Sequence, residues 1–498
     1  MLLVRNIRLP LSCPNPEAEA VRRARRTLGL PPGRKAGGGI ARLSVDARHG
    51  TPSLVYTVAI TLEDEGEESA LAGASPCVCF TRRPEFSFPV GHDPLLHRPV
   101  VVGLGPAGLF AALLLARHGF RPLVLERGPA LAERVAAVER FEATGALDEN
   151  ANIQFGEGGA GTFSDGKLTT RTGDALCAYV TQSLLAHGAP ADIAWRQKPH
   201  IGTDLLRGVI TAIRAEIEAL GGEVRFGTAL TGLAVRGGRL AAIRTTAGEI
   251  PCEALVLAVG HSARDTFAML KGAGLPLVCK PFSVGFRAEH LQAEIEQSLY
   301  HKAAGHPALP RGEYQLSQKL PGGRCVYTFC MCPGGTVCAA ASEAGGVVTN
   351  GMSLHARAGG GAYRAPAETA ASFLQGRGRL ELGAVQPSYP RGVTEADLGS
   401  LLPAELARAL REGYAAFGRK LAAYRAPDAV LTGLETRTSS PVRLLRGEDL
   451  QCTALPGLYP CGEGAGYAGG IMTAAVDGLR CAAALMERCA PAAVSALS

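Results

Sequence analysis

The order of apolar and polar positions in residues 1–97 predicts a small α/β unit. A strand pattern at Leu2–Leu11 precedes a helix that Asn15 caps and whose apolar residues share one face. Two segments in which apolar and polar residues alternate, Ile40–Ala47 and Leu54–Leu62, then predict two strands. The order strand–helix–strand–strand is typical of a ferredoxin-like module.

The pattern changes after a predicted linker at 84–99. Helical patterns lie near 107–118, 174–187 and 203–220, and strand-like alternation covers 223–235, 239–246 and 250–259. Gly237 and Gly238 supply a hairpin turn between two of these strand-like segments. We therefore predict helices followed by a three-stranded meander.

The rest of the chain combines short strands with longer helices. Strand patterns lie at 282–289, 324–332, 336–342 and 347–354, and a helical pattern covers 394–421. Residues 426–489 show a strand, a glycine-rich turn and a final helix. The whole chain therefore predicts an α/β fold of several domains.

The composition excludes several classes of protein. Of 498 residues, 47% are hydrophobic and 19% are charged, which excludes a largely disordered chain. The 63 glycines are about 13% of the chain, against ~7% in average proteins, and indicate tight turns or backbone close to a ligand. The 14 cysteines include no CxxC pair, so we predict reduced thiols in a cytoplasmic protein and no metal site.

Neither a signal peptide nor a membrane span is predicted. Arg5 and Arg8 interrupt the first apolar stretch, and the uncharged run 99–116 contains Pro106 and three glycines. The net charge of +6 is concentrated in the first fifty residues, which hold ten basic and three acidic side chains. The remainder of the chain is close to neutral.

The first candidate site is a glycine-rich turn between a strand and a helix. Gly103, Gly105 and Gly108 follow the apolar run 100–102 with the spacing GxGxxG. In a dinucleotide site these glycines permit a tight turn, the approach of backbone to a pyrophosphate and close packing of helix on strand. Glu126 ends the next strand pattern, where a carboxylate accepts from ribose hydroxyls and repels a 2′-phosphate. We predict a dinucleotide site that disfavours NADP; a structural turn without a ligand is the alternative.

The second candidate site lies near the end of the chain. The stretch Leu455–Met472 predicts a strand, a turn, an acid, a glycine-rich loop and a helix. It resembles the second FAD fingerprint of the glutathione-reductase-type flavoproteins, which also carry the first motif. The resemblance implies that Glu463 contacts the ribityl–pyrophosphate region and that the helix from about Gly470 points at the flavin pyrimidine ring, where a positive dipole end stabilises negative charge. An NAD-dependent dehydrogenase, which needs no second motif, is disfavoured.

Further segments carry the same resemblance. Leu255–Gly260 resembles the strand that returns the chain to the cofactor, Thr228–Leu230 the segment that meets the adenine, and Gly158–Lys167 the loop along the pyrophosphate and isoalloxazine. More narrowly, the chain resembles a group of bacterial proteins described as uncharacterised FAD-dependent dehydrogenases. The stretches that carry this likeness are Asn152–Leu168, His200–Asp204, Leu434–Arg443 and Tyr459–Asp477.

The resemblance implies a Rossmann-type FAD-binding domain of glutathione-reductase type with an inserted α+β substrate domain. The implied segments are the N-terminal module with its linker (1–97), the first part of the FAD-binding domain (98–275), the inserted domain (276–425) and the second part of the FAD-binding domain (426–498). The predicted cofactor-binding residues are Gly103, Gly105, Pro106, Ala107, Gly108, Glu126, Arg127, Gly159, Gly161, Thr162, Lys167, Leu230, Ala258, Gly260, Gly462, Glu463, Gly470 and Ile471.

These features predict a cytoplasmic FAD-dependent oxidoreductase that transfers a hydride or two electrons through flavin N5. Its substrate and its catalytic residues are unknown, with Lys167 and Arg437 as candidates. Lys167 could stabilise reduced flavin or bind an anionic substrate; the alternative is a pyrophosphate contact or a surface lysine. Arg437 could hold a carboxylate bidentately, or it could form a salt bridge with Glu435 or another acid.

Two weaker candidates lie in the region predicted as the inserted domain. His355 could act as an acid or a base, although a lone histidine is more often structural. Cys330 and Cys332 could relay electrons to flavin, although two cysteines on one face of a strand are more often buried hydrophobes.

The predicted partners are small molecules. They are a substrate, with an anion as one candidate, and a nicotinamide reductant that docks without a domain of its own, because no second GxGxxG follows a strand. The alternative from another class is a flavoprotein that binds or modifies nucleic acid through its basic N-terminal module. Arg22, Arg23, Arg25 and Arg26 form a positive flank there, but no aromatic residue lies among them to stack on bases, so nucleic acid is disfavoured.

Overall fold

The computed structural model describes residues 1–48, 50–73, 75–170, 172–329, 331–343 and 358–493. The strand predicted at 347–354 lies outside these residues. The described elements form one antiparallel sheet at the N-terminus, a parallel sheet in the centre and smaller sheets formed mainly by the second half of the chain.

The N-terminal residues form a four-stranded antiparallel sheet in the order β2-β3-β1-β4 with two helices. Its elements are β1 (Leu2–Pro10), α1 (Pro16–Thr27), β2 (Gly37–Asp46), β3 (Ser53–Thr61), α2 (Glu65–Leu71) and β4 (Val78–Phe80). The predicted strand–helix–strand–strand order is confirmed, and α2 and β4 extend it. The acidic run at 63–68 has no apolar period, so the pattern did not predict α2.

A five-stranded parallel sheet in the order β21-β12-β6-β7-β8 forms the centre of the molecule. Its strands are β6 (Val100–Val102), β7 (Leu123–Leu125), β8 (Glu223–Arg225), β12 (Leu255–Leu257) and β21 (Leu458–Pro460). Because all strands run in the same direction, their carboxyl ends share one edge. Ligands of open α/β sheets bind at that edge.

Helices follow the strands of this sheet along the chain. They are α3 (Pro106–Arg117), α4 (Leu131–Thr144), α5 (Leu176–Ala186), α6 (Thr203–Ala219), α7 (Arg264–Gly272) and α11 (Ile471–Arg488). The predicted helices near 107–118, 174–187 and 203–220 are confirmed as α3, α5 and α6. Helix α3 is apolar on all sides because it lies between the sheet and α11. A Cβ added at Gly478 of α11 would lie 2.0 Å from the Ala107 carbonyl oxygen, so the two helices pack closely.

The prediction of one strand at 223–235 is wrong. Strand β8 joins the parallel sheet, and β9 (Leu230–Arg236) starts a separate meander with β10 (Arg239–Thr245) and β11 (Gly248–Pro251). The turn between β8 and β9 is held by distant backbone, since the Gly227 N–H donates to Gly128 O and the Thr228 N–H donates to Glu126 O. Gly227 and Thr228 interrupt the apolar–polar pattern at this turn, a signal that the prediction of one strand did not use.

The second half of the chain forms smaller sheets. Its strands are β13 (Leu277–Cys279), β14 (Gly285–Glu289), β15 (Ser317–Lys319), β16 (Cys325–Tyr327), β17 (Ala365–Thr369), β18 (Val393–Glu395), β19 (Val430–Glu435), β20 (Val442–Leu444) and β22 (Cys489–Ala490), and its helices are α8 (Gln292–Tyr300), α9 (Ala370–Gln375) and α10 (Ala404–Lys420). The largest sheet has the order β14-β19-β17-β18. The pairs β13–β20 and β15–β16 are antiparallel.

Two predictions for this part are wrong in detail. The helix predicted at 394–421 begins only at Ala404, because strand β18 and a turn precede it. Residues 336–342, all among those described, form no strand. Their apolar period has another cause, since Val337, Ala339 and Ala341 pack on the core around Phe141 without a backbone ladder.

The N-terminal module contacts the centre through β2 and through its linker. The Leu43 N–H of β2 donates to Trp195 O at 2.9 Å, and the Gln197 N–H donates to Leu43 O at 3.1 Å. Strand β5 (Asp93–Pro94), within the predicted linker, pairs in parallel with β22 beyond the last helix. The predicted domain boundaries stay predictions.

Candidate cofactor site

Four segments of the chain meet at the carboxyl ends of β6, β12 and β21. A Cβ added at Gly103, whose φ is +98°, would lie 2.3 Å from the Ala258 carbonyl oxygen. A Cβ added at Gly464 would lie 2.3 Å from the Gly260 carbonyl oxygen. The two predicted glycine motifs therefore contact the same predicted segment after β12.

The loop at 159–163 crosses this place. A Cβ added at Gly159 would lie 2.9 Å from the Cα of Gly105, and one added at Gly161 would lie 3.4 Å from Cγ1 of Ile471. We call the contact of Gly105 with Gly159 the glycine crossing. Glycine caps both α3 and α11, at Gly105 and Gly470, and no side chain caps either helix. The first N–H groups of two helices are thus available to a phosphate at one place.

Glu126 ties the first turn to the neighbouring loops. Its buried carboxylate accepts hydrogen bonds from the backbone N–H groups of Leu104 at 2.9 Å, Gly128 at 2.9 Å and Gly156 at 3.0 Å. These bonds take three of the roughly four acceptor positions of a carboxylate. The predicted contact with ribose hydroxyls has one position left and stays a prediction.

Arg134 of α4 holds the loop from inside, and sequence reasoning missed it. Its guanidinium is completely buried and donates to the carbonyl oxygens of Asn152, Ile153 and Glu157 and to Oγ1 of Thr162. Burial lowers the pKa of Arg134 to about 10. The loop that reaches the glycine crossing is therefore wrapped around a fixed cation.

A signal for Arg134 was present in the sequence. It lies on the same face of α4 as Val138 and Phe141, which are both buried. A charged residue in line with buried apolar residues is costly unless it is paired. Such a residue marks a buried polar contact, although the pattern alone does not name the partners.

Glu463 lies in the second turn with a quarter of its side chain exposed. Burial raises the pKa of this carboxyl to about 7, against the opposing effect of Lys280. His261 directly follows Gly260, and its Nδ1 lies 3.8 Å from Oε1 of Glu463. His261 was not predicted as a site residue. Its position directly after Gly260, a predicted cofactor-binding residue, was the signal in the sequence that could have indicated it.

The second turn is fixed by a buried ion pair. Arg446 donates twice to the carboxylate of Asp477, which also accepts the Gly462 N–H at 2.7 Å. Cys461, Asp477 and Cys481 bring potential metal-ligand atoms within 4.8 Å of one another. Because the carboxylate is engaged by Arg446 and Gly462, we assign this group to support of the turn. The predicted absence of a metal stays a prediction.

Lys167, the first catalytic candidate, lies beyond the loop that crosses Gly105. Its Nζ is buried, forms no hydrogen bond with any described residue and lies 3.9 Å from Oε1 of Glu313. The structure does not place it on the surface.

Arg437, the second catalytic candidate, is engaged in a salt bridge. It is buried and donates to Glu343 at 3.1 Å and to Oγ of Ser342 at 3.3 Å. Burial lowers the pKa of its guanidinium. Glu435, the acid suggested by the sequence, pairs instead with Arg287 at 2.6 Å. The structure thus favours the salt-bridge alternative, with a different partner.

Several predicted cofactor residues use their side chains within the protein. Arg127 pairs with Asp265 at 2.5 Å and lies 4.5 Å above the Phe155 ring. Leu230 is buried in the core beside the parallel sheet, and the Thr162 hydroxyl donates to Glu157 O. The predicted contacts of Leu230 and Thr162 with a cofactor stay predictions. The candidates His355 and Cys330 lie outside the described residues.

Two observations concern the predicted partners. Among the described helices, none combines the length and the apolar character that crossing a bilayer requires. In α1, Arg22 and Arg23 both pair with Glu19, and Arg25 donates to Arg34 O at 2.6 Å. Part of the positive flank is thus neutralised within the module, and the expectations for nucleic acid and for small-molecule partners stay predictions.

Comparison with known proteins identifies relatives of the chain. A family model described as "FAD-dependent protein, C-terminal domain-like" matches residues 281–362 and 355–438. An uncharacterised protein of Clostridium beijerinckii is 45% identical over 440 residues, which cover 80% of this chain and 82% of that protein. The chain belongs to the same family as this clostridial protein. The match to the model of an FAD-dependent protein confirms the prediction that the cofactor is FAD.

Solved structures are similar only at a low level. The GidA-related protein from Thermus thermophilus is 18% identical, with 39% of this chain and 74% of that chain covered and a TM-score of 0.24. Thioredoxin reductase from Lactococcus lactis is 19% identical, with 33% of this chain and 35% of that chain covered and a TM-score of 0.19. L-amino acid deaminase from Proteus vulgaris is 15% identical, with 42% of this chain and 56% of that chain covered and a TM-score of 0.21. These values carry no argument about this chain.

The glycine crossing itself fits FAD. Gly105 has φ −77°, which any residue adopts, and the nearest atom to an added Cβ would be 3.7 Å away. The protein fold alone therefore does not require glycine at this position, in contrast to Gly103 and Gly108. A surface kept free of side chains beside two helix N-termini is what a pyrophosphate needs.

Proposed function

We propose that this protein is an FAD-dependent oxidoreductase with the two-motif arrangement of the glutathione-reductase-type flavoproteins. The observation that carries the proposal is the glycine crossing. The fold itself does not require glycine at position 105, so a ligand accounts for the glycine there. FAD, when bound, supplies two-electron transfer between a donor and an acceptor. The proposed donor and acceptor are small molecules, one of which is a nicotinamide reductant, in a cytoplasmic setting.

The residues of the chain have distinct proposed roles. Gly105 and Gly159 hold the pyrophosphate, and the remaining acceptor position of Glu126 holds the adenosine ribose. Glu463 holds the ribityl region, and the N-terminus of α11 from Gly470 faces the pyrimidine ring, where its dipole favours negative charge. The N-terminal residues form an accessory module of ferredoxin-like type, and the smaller sheets around β14 and β19 contribute to a substrate domain.

An anaerobic reduction screen tests the reaction class. The purified yellow protein is mixed with NADH, NADPH and candidate substrates, and the visible flavin absorbance is followed by stopped flow. Free FAD at the same concentration is the control. We expect at least one hydride donor to bleach the bound flavin much faster than free FAD. A bound flavin that dithionite reduces, but that no hydride donor or substrate reduces, would contradict the proposal.

A further inference from the structure

A group of five charged side chains lies beyond the loop that crosses Gly105. We call it the charged cluster; its members are Asp165, Lys167, Lys198, His200 and Glu313. Backbone pairing of Lys167 with His200 brings two of its chain segments side by side. Glu313 comes from an irregular segment between α8 and β15. Residues near the FAD site and from the second half of the chain thus share one cluster.

Three cationic groups surround the carboxylate of Glu313. Lys198 Nζ lies 3.7 Å and Lys167 Nζ 3.9 Å from Oε1, while His200 Nε2 lies 3.7 Å from Oε2. All three distances exceed those of normal hydrogen bonds. In this arrangement none of the three cationic groups forms a short hydrogen bond with Glu313.

Asp165 positions the histidine of the cluster. Its Oδ2 lies 2.6 Å from Nδ1 of His200, which leaves Nε2 directed at Glu313. Glu313 and Asp165 raise the pKa of His200, against the effect of its burial. Although burial opposes it, His200 and both lysines lower the pKa of Glu313. The cluster thus favours the protonated form of His200 and the ionised form of Glu313.

The Lys167 ammonium has unused hydrogen-bonding capacity. Its Nζ is buried and forms no hydrogen bond within the described part of the chain, although an ammonium has three donors. Its side chain keeps 17% of its surface exposed and that of Glu313 keeps 20%. A second anion that enters from solvent could approach Lys167 more closely than the tethered carboxylate does.

The loop that crosses Gly105 places the cluster relative to the FAD site. From the glycine crossing the loop passes Ile471 at the start of α11 and then reaches Asp165 and Lys167. The cluster is therefore joined to the cofactor site through the chain that follows Gly161. In the proposed arrangement this chain segment runs along the pyrophosphate and the flavin ring.

We propose that Lys167, Lys198 and His200 bind a carboxylate group of the substrate and that Glu313 occupies this position until the substrate displaces it. The proposal rests on the proposed function and adds the substrate class, a carboxylate. Exchange of one carboxylate for another keeps the charge balance of the cluster, and a mobile carboxylate can form the short charge-assisted hydrogen bonds that Glu313 does not form.

Acetate is the probe that tests this proposal. Glu313→Ala removes the internal carboxylate from the FAD-loaded protein, and acetate binding is measured by calorimetry at constant ionic strength with chloride as the reference salt. We expect Glu313→Ala to bind acetate at least ~10-fold more tightly than the wild type, the effect of about one charge-assisted contact. Lys167→Met in the same background should remove the gain. Glu405→Ala, which removes a carboxylate paired with Arg324 elsewhere, should bring no gain.

Equal acetate affinity in the wild type and Glu313→Ala, or a gain that persists with Lys167→Met, would overturn the proposal. If Glu313→Ala does not fold, Glu313→Gln replaces it, with a smaller gain expected because the amide still fills the position. Acetate binding does not depend on electron transfer. If no donor reduces the flavin but Glu313→Ala binds acetate more tightly, only the proposed reaction class is overturned. If a donor reduces the flavin but acetate binding does not tighten, only the proposed carboxylate site is overturned.

Discussion

The glycine crossing and the charged cluster lie at the two ends of one loop and are held in different ways. Directly before the crossing, Arg134 binds the carbonyl oxygens of Asn152, Ile153 and Glu157, and Glu126 accepts from three backbone N–H groups. In the cluster, Glu313 is separated from its three cationic neighbours by 3.7–3.9 Å. The first end is rigidly bonded, whereas the second is held by adjustable charges.

This difference indicates two kinds of task. A resident cofactor needs a binding surface whose backbone is fixed before binding, because ordering it later would cost free energy. A substrate that enters and leaves needs side chains that can exchange partners. Changes at the bonded end should therefore affect stability more strongly than changes in the cluster.

The largest effect is expected at Arg134. Arg134→Met removes the buried donor of the loop and leaves several carbonyl oxygens unpaired, so we expect a loss of ~3–5 kcal/mol in the free energy of unfolding. Chemical denaturation of the FAD-loaded protein measures this loss. Arg140→Met, on an exposed position of the same helix, should change the value by less than ~0.5 kcal/mol. Similar losses in both variants would show that the hydrogen bonds of Arg134 do not contribute specially to stability.

A smaller, pH-dependent effect is expected at Glu463. Burial raises the pKa of this carboxyl from 4.5 to about 7, so the folded protein favours its protonated form. The corresponding stability is complete below pH 4.5 and is lost as the pH rises through 7. In FAD-free wild-type protein, the free energy of unfolding should fall by an amount of the order of 2 kcal/mol between pH 4.5 and 8. Glu463→Gln should abolish this fall.

The control for this pH dependence is Glu487→Gln, at an exposed position of α11. It should keep the pH dependence of the wild type. Unfolding free energies that vary with pH in the same way in wild type and Glu463→Gln would show that Glu463 does not titrate in this range.

The smallest effect on stability is expected in the charged cluster. Lys198→Met removes one cation that lies 3.7 Å from Glu313 and whose side chain is 42% exposed. Partly exposed ion pairs contribute ~0–1 kcal/mol, so the free energy of unfolding should fall by no more than ~1 kcal/mol, as measured by the same denaturation. A loss as large as that of Arg134→Met would contradict the distinction between the two ends.

The sequence was sufficient for features whose cause is local. Gly103, Gly105 and Gly108 could be predicted because a tight turn and a close approach need glycine at fixed spacing. The partners of charged side chains could not be predicted in this way. Lys167 meets Glu313 from a distant part of the chain, and the acid that pairs with Arg437, left open between Glu435 and another acid, is Glu343. Such pairs depend on how separate segments pack.

The same limit explains the misplaced strand. Residues 223–235 were predicted as one strand, yet β8 belongs to the parallel sheet and β9 to the meander. The turn between them is held by contacts with residues 126–128, a constraint that lies outside the segment. Alternation records which side of a strand is buried and carries no information on which sheet the strand joins.

The most direct test of the central claim is the FAD affinity of Gly105→Val. The conformation of Gly105 suits any residue, and an added Cβ would have 3.7 Å of space from Gly159, so the variant should fold, whereas the pyrophosphate would lose its place. The matched control is Gly208→Val, at an exposed position of α6 where an added Cβ meets nothing within 4 Å. We expect Gly105→Val to purify as a folded, colourless protein and Gly208→Val to stay yellow. Full retention of FAD by folded Gly105→Val would contradict the account.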